Sequence, residues 1–224
     1  MILRCLQTYG VYVRSFHIWP FALAVFAALL MPASAKPVTL VALGDSLTAG
    51  YQLPASAALP AALERRLRAT GLDVRIDNAG VSGDTASGGL DRLEWAVGDG
   101  VSGVIVALGA NDMLRGIDPA RTEQALDEII KKLKARRIDV LLVGMLATPS
   151  LGSDYVEKFN KIYPTLAARY DVPLYPFLLE GVAQNRQLNL ADGIHPNRDG
   201  VEVIAKGLEP AVVKFVEQIS RKAQ

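Results

Sequence analysis

From residue 38 onward the chain alternates short apolar runs with longer amphipathic ones, and few folds accept that alternation. VTLVAL (38–43), LDVRI (72–76), GVIVAL (103–108), DVLLVGM (139–145) and VPLYPF (172–177) read as strands. The third and fourth are almost continuously apolar, the pattern of strands covered on both faces. Between them, LPAALERRLRATG (59–71) stops on Gly71, as helices do. DPARTEQALDEIIKKLKARR (118–137) opens with Asp118 and Pro119, and SDYVEKFNKIYPTLAARYD (153–171) opens with Ser153 and Asp154. The final run, HPNRDGVEVIAKGLEPAVVKFVEQIS (195–220), carries Pro196 near another helix start. Strand and helix repeated in this way predict a three-layer α/β/α sandwich whose sheet is parallel and mostly five-stranded. In such a sheet ligands collect outside the carboxyl ends of the strands, so the chemistry is expected just after each apolar run.

The residues before that alternation belong to a different class of segment. Arg4 and Arg14 give a positive start, WPFALAVFAALLM (19–31) is apolar, and Ala33-Ser34-Ala35 has the small-residue pattern of a cleavage site. Residues 1–35 therefore read as a signal peptide, and residues 36–224 as a single domain that is exported, periplasmic or secreted. The apolar core from Phe21 to Met31 is 11 residues, short of the roughly 20 needed to span a bilayer. An uncleaved anchor remains the alternative, because no Lys, Arg, Asp or Glu lies between Ser15 and Ala35.

Removal of 35 of the 224 residues leaves 189, enough for one domain with a substantial core. The remaining 22 basic and 23 acidic residues nearly balance, which gives no electrostatic reason to expect nucleic acid or an anionic membrane as partner. The only cysteine, Cys5, and one of the two histidines, His17, leave with the signal. A structural zinc site built from His and Cys is thereby excluded, and no metal or cofactor is expected. No composition argument fixes the assembly; a monomer or weak oligomer is expected.

Four polar blocks sit where the strands run out: GDSLTAG (44–50), NAGVSGDT (78–85), GANDMLRG (109–116) and DGIHPN (192–197). Each alone is an ordinary turn or helix cap. Together they supply one chemistry. A serine hydroxyl is a weak nucleophile until a base takes its proton, and that base needs a third group to hold its tautomer. His195, the one imidazole left after export, lies three residues after Asp192, with Gly193 between them to let the ring fold back. Attack on a carbonyl also creates an oxyanion that needs donors in place beforehand. The backbone N–H groups of Ser46 and Gly80 and the side-chain amide of Asn111 are the donors available. A glycine at 80 suits an approaching substrate carbonyl, and Asp45 ties the first loop instead of reacting.

In order and spacing the four blocks resemble those of the SGNH hydrolases, also called GDSL esterases/lipases. The likeness is to the bacterial branch containing thioesterase I/protease I/lysophospholipase L1 and the arylesterases, and it covers residues 38–215. The resemblance implies a flavodoxin-like fold, Ser46 as nucleophile, Asp192 as orienting acid and His195 as general base. It also implies an oxyanion hole from Ser46, Gly80 and Asn111. Ala110 departs from the Gly-Gly-Asn-Asp often found in the third block, a change expected to touch only local pocket shape.

The implied function is a serine esterase acting through an acyl-serine intermediate. Its small-molecule substrates would be short- to medium-chain acyl esters, aryl esters and acyl thioesters, with lysophospholipids as further candidates. The alternatives are a carbohydrate O-acetyl esterase and a non-enzymatic binding module of the same fold. Leu47, Met113, Leu114, Leu146 and Leu151 are candidates to line an acyl groove, against an equal reading as ordinary core. The segment 113–119 is a candidate mobile cover for the acyl chain. No Gly-x-Ser-x-Gly elbow surrounds Ser46, and neither Gly-x-Gly-x-x-Gly nor a P-loop pattern is present at the first loop.

Overall fold

The central strands are buried along almost their whole length, and this sets the architecture. In the computed structural model, which describes residue 10 and residues 37–222, strands β1 (Val38–Gly44), β2 (Val74–Gly80), β3 (Gly103–Ala107), β4 (Asp139–Val143) and β5 (Leu174–Tyr175) form one sheet. Its order is β2-β1-β3-β4-β5 and every pairing is parallel. The signal read at residues 1–35 lies outside the described residues.

β3 is buried at all five positions, whereas the edge strand β2 alternates, with Val74 and Ile76 buried and Arg75 exposed. The difference follows from covering: an inner strand has helices on both faces, and an edge strand can leave one side to water. The same effect explains a correction. β2 begins at Val74 and runs to Gly80, beyond the expected 72–76, because the polar Asp77 and Asn78 pair through their backbones with Val41 and Ala42. β5 is shorter than the expected 172–177. Pro173 and Pro176 flank it, and proline has no N–H to give the ladder.

Helix α1 is a single turn, Ser46–Ala49, and α2 spans Leu59–Ala69. α3 (Ala86–Asp91), α4 (Leu93–Ala96) and α5 (Ala110–Leu114) are short helices that the apolar periodicity did not reveal. α6 (Pro119–Ala135) starts as the sequence indicates, with the Asp118 carboxylate accepting from the Ala120 N–H at 3.0 Å and lysines in the last turn. α7 covers Ser153–Tyr170 and α8 covers Arg198–Lys222. α2 packs with α8, and α6 packs with α3 and α7. Leu63, Leu67, Phe215 and Val216 close one side of the core, and Leu126, Ile130, Phe159 and Tyr163 belong to the same cluster from the other helices.

The chain leaves β1 toward β2 on one side and returns to β3 on the other, so the order reverses between β1 and β3. Loops leaving those two strands diverge and open a crevice at their carboxyl ends. Ser46 and Asn111 both follow these strands.

Candidate active site

The turn that carries Ser46 is built on a buried carboxylate. Asp45, only 1% exposed, caps α1 by accepting from the Leu47 N–H at 2.9 Å, and Gly50 closes the turn at φ +78°. Ser46 is the first residue of α1, so its N–H has no intrahelical acceptor. The second Asp45 oxygen accepts from Asn111 Nδ2 at 3.3 Å, and Asn111 Nδ2 also donates to the Asp84 carbonyl at 2.9 Å. Two acceptors on one side fix the amide orientation, because only the nitrogen has hydrogens to offer. Burial is the main cause that raises the Asp45 pKa from its ordinary value to about 6, against the hydrogen bonds and the His195 charge that lower it.

The partner of Ser46 arrives from the far end of the sequence. Residues 188–197 form a small loop held by Leu190 N–H to His195 O at 2.7 Å and Asn197 N–H to Leu188 O at 2.9 Å. Asn189 anchors it beneath, donating to the Val182 and Asn185 carbonyls, each at 2.8 Å. Within this loop Gly193 takes φ +75°, which an L side chain rarely adopts, and the chain folds back on itself. Asp192 Oδ1 then accepts from the Ile194 and His195 N–H groups, both at 3.0 Å, while Oδ2 lies 2.7 Å from His195 Nδ1. The backbone N–H groups of His195 and Ile194, followed by the imidazole bond, hold the Asp192 pKa down to about 2. An ionised carboxylate only accepts, so Nδ1 carries the imidazole proton and Nε2 presents a lone pair. Nε2 lies 2.9 Å from Ser46 Oγ.

The loop after β2 is pinned from several sides. Arg92 Nε donates to Asp84 and its Nη2 donates to the Gly44 carbonyl at 2.9 Å, tying this loop to the end of β1. Buried Asp112 accepts from the Ala86 N–H at 2.8 Å and the Thr122 hydroxyl at 3.0 Å. Arg115 donates to the Gly83 carbonyl at 2.7 Å.

Gly80 is not free to serve as expected. It ends β2, in register with Gly44, and its N–H donates to Asn78 Oδ1 at 2.9 Å. A Cβ there would press into the Ala49 backbone and lie 2.9 Å from the Asp45 carbonyl. Glycine at 80 thus makes room for the turn that carries Ser46. The second glycine of the same block, Gly83, lies in the loop proper at φ +86°, and its N–H makes no hydrogen bond among the described residues. Only the true end of β2, hidden by its polar residues, separates the two glycines.

An apolar groove of about 520 Å³ opens beside Ser46 and His195. Leu47, Met113, Leu114 and Leu146 line it as expected, with Leu114 and Leu146 exposed at its mouth. Leu151 does not line it; it packs against the core from the turn Pro149–Leu151. Met145, Phe177, Leu179 and Ile194 also line the groove. Phe177 and Leu179 follow β5, so applying the strand-end rule to the last strand finds them. A wider cleft of about 920 Å³ lies among charged residues such as Lys134, Arg137, Asp139 and Arg221, on the strands' amino-terminal side and away from Ser46. Among the described residues no group of three His, Cys, Asp or Glu side chains is placed to hold a metal ion, and no helix is long and apolar enough to cross a membrane.

A parallel sheet with this crevice and a serine, an imidazole and a carboxylate in series describes a serine hydrolase of the α/β/α type. The sequence profile of the GDSL-like Lipase/Acylhydrolase family matches residues 42–203, and the chain belongs to that family. It is an ester hydrolase. Thioesterase 1/protease 1/lysophospholipase L1 of Escherichia coli (strain K12) is 42% identical over 201 residues, covering 84% of this chain and 91% of that protein. An arylesterase of Vibrio mimicus is 36% identical over 188 residues, covering 84% and 94%. Among solved structures, AlinE4, an SGNH-hydrolase family esterase, superposes with a TM-score of 0.69 at 44% identity, covering 82% of this chain and 98% of AlinE4. TesA superposes with a TM-score of 0.73 at 38% identity, covering 77% and 96%.

Proposed function

We propose that Ser46 is the nucleophile, His195 the general base and Asp192 the residue that fixes the imidazole. The observation that carries this is the continuous series Asp192 Oδ2, His195, Ser46 Oγ, with separations of 2.7 and 2.9 Å, opening onto an apolar groove. Nε2 takes the hydroxyl proton as Oγ bonds to the substrate carbonyl carbon. The resulting oxyanion is met by the Ser46 N–H, the Gly83 N–H in place of Gly80, and Asn111 Nδ2. Asn111 gives up its longer bond, the 3.3 Å contact to Asp45, to reach it. Collapse expels the alcohol or thiol with the proton from His195. Water, activated by the same base, then frees the acid from acyl-Ser46.

The groove suits short- to medium-chain acyl groups, and aryl esters and acyl thioesters agree with the names of the relatives. A lysophospholipid would place its single acyl chain in the same groove. Apolar lining is poor ground for an acetylated sugar, whose hydroxyl groups need partners. The signal read at residues 1–35 supports export to the periplasm or beyond. Ser46→Ala is expected to abolish hydrolysis of p-nitrophenyl butyrate with the thermal midpoint unchanged; retained turnover would refute the assignment. A substrate panel of acetyl, butyryl, octanoyl and palmitoyl esters, an acyl-CoA and acetylated xylan is expected to peak at butyryl or octanoyl, and a peak on xylan would reverse the substrate reading.

A further inference from the structure

The ring of Tyr51 lies against the imidazole of His195, with centroids 4.3 Å apart and planes inclined by 34°. Tyr51 is still 37% exposed, so burial of the ring alone does not account for its position. Its backbone explains how it gets there. The Ser46 carbonyl accepts from both the Gly50 and the Tyr51 N–H groups, each at 3.1 Å, so the turn that presents the hydroxyl also returns the chain to the imidazole. His195 is held edge-on by Asp192 and Ser46, both in line with its ring nitrogens, and neither bond prevents rotation about the axis joining them. A flat ring packed on the imidazole face does.

We propose that Tyr51 is a positioning residue for the general base: its ring holds the plane of His195 and faces the positive charge that forms there as Ser46 attacks. The inference rests on the roles assigned to Ser46 and His195 above. An aromatic face attracts a cation through its quadrupole, and this attraction grows only once the imidazole gains the proton, so it favours the transition state over the resting enzyme. The phenol oxygen is not part of this role, since both ring nitrogens of His195 are already engaged, by Asp192 and Ser46.

The test compares two variants of the full chain. Tyr51→Phe keeps the ring and is expected to hold kcat on p-nitrophenyl butyrate within about twofold. Tyr51→Leu keeps apolar bulk but loses the π face, and is expected to lower kcat roughly two- to fivefold with KM unchanged. Equal kcat in Tyr51→Leu and wild type, an equal fall in both variants, or a change confined to KM would each overturn the proposal. A second measurement needs no variant and no turnover. Wild-type protein is expected to show nuclear Overhauser contacts between the Tyr51 ring protons and the His195 Cδ2 or Cε1 proton, and their absence would overturn it even if the ester hydrolase reading stands. Loss of activity in Ser46→Ala tests that reading separately.

Discussion

The two loops that meet at Ser46 use a carboxylate in opposite ways. Asp45 is sealed under the nucleophile turn, where the loss of water raises its pKa to about 6. Asp192 sits in a loop with its side chain 36% exposed, yet three donors hold its pKa down to about 2. The difference teaches that hydrogen-bond donors and not depth keep Asp192 ionised. The buried acid instead organises backbone and amide, at a cost in desolvation.

The largest effect is expected where the exposed acid is neutralised. Asp192→Asn leaves the loop's shape but removes the acceptor that fixes the imidazole tautomer, and kcat should fall up to about 10⁴-fold; a loss under tenfold would mean that Asp192 does not orient the base. Asn111→Ala removes one of the donors proposed for the oxyanion, for an expected loss of about 10² to 10³ in kcat with little change in KM. Equal losses in 1/KM and none in kcat would make Asn111 a ground-state contact only.

A smaller effect is expected at the buried acid. In Asp45→Asn either orientation of the new amide sets its nitrogen against a donor, the Leu47 N–H or Asn111 Nδ2, and kcat should fall roughly tenfold, the order of one neutral hydrogen bond misplaced. The pH dependence of stability sharpens the comparison further. Because the folded-state pKa of Asp45, about 6, lies above its ordinary 3.8, the native state holds that proton more firmly. Its contribution therefore declines as pH rises from about 4 to 6, by at most about 3 kcal/mol, and stays constant above. Asp192 has the opposite sign: its contribution is present above pH 4 and is lost as pH falls toward 2. Urea unfolding of wild type and Asp45→Asn at pH 4 and pH 7 checks this, with the variant expected to lose the decline between the two. An unchanged difference would place the pH response elsewhere.

Much of this molecule was legible because its inner strands and long helices obey simple periods. β1, β3 and β4 fall where continuous apolar runs stand, and α6 begins at an Asp-Pro pair. β2 was misplaced because an edge strand tolerates Asp77 and Asn78, so its backbone pairing leaves no apolar signature. Gly80 and Gly83 stand in one block of the sequence, and only the end of β2 separates the glycine in the strand from the one in the loop. The groove residues Phe177 and Leu179 were missed for a related reason. Pro173 and Pro176 cut β5 to two residues, so Phe177, inside the strand expected at 172–177, stands beyond its end. Asp45 ties the loop, as its place in the first block indicates, but its reach to Asn111 depends on the third dimension.

Ser46 and His195 are 149 positions apart, and three strand pairings, β1 with β3, β3 with β4 and β4 with β5, join the strands that precede them. Contacts between residues so far apart in sequence slow folding, because the loop between them must close first. On the roles proposed for Ser46 and His195, a chain still emerging from synthesis, or one clipped ahead of its last thirty or so residues, is expected to be chemically silent. Turnover in a refolding experiment is therefore a clock for the final seam of the molecule, and it starts only when beginning and end have been stitched together.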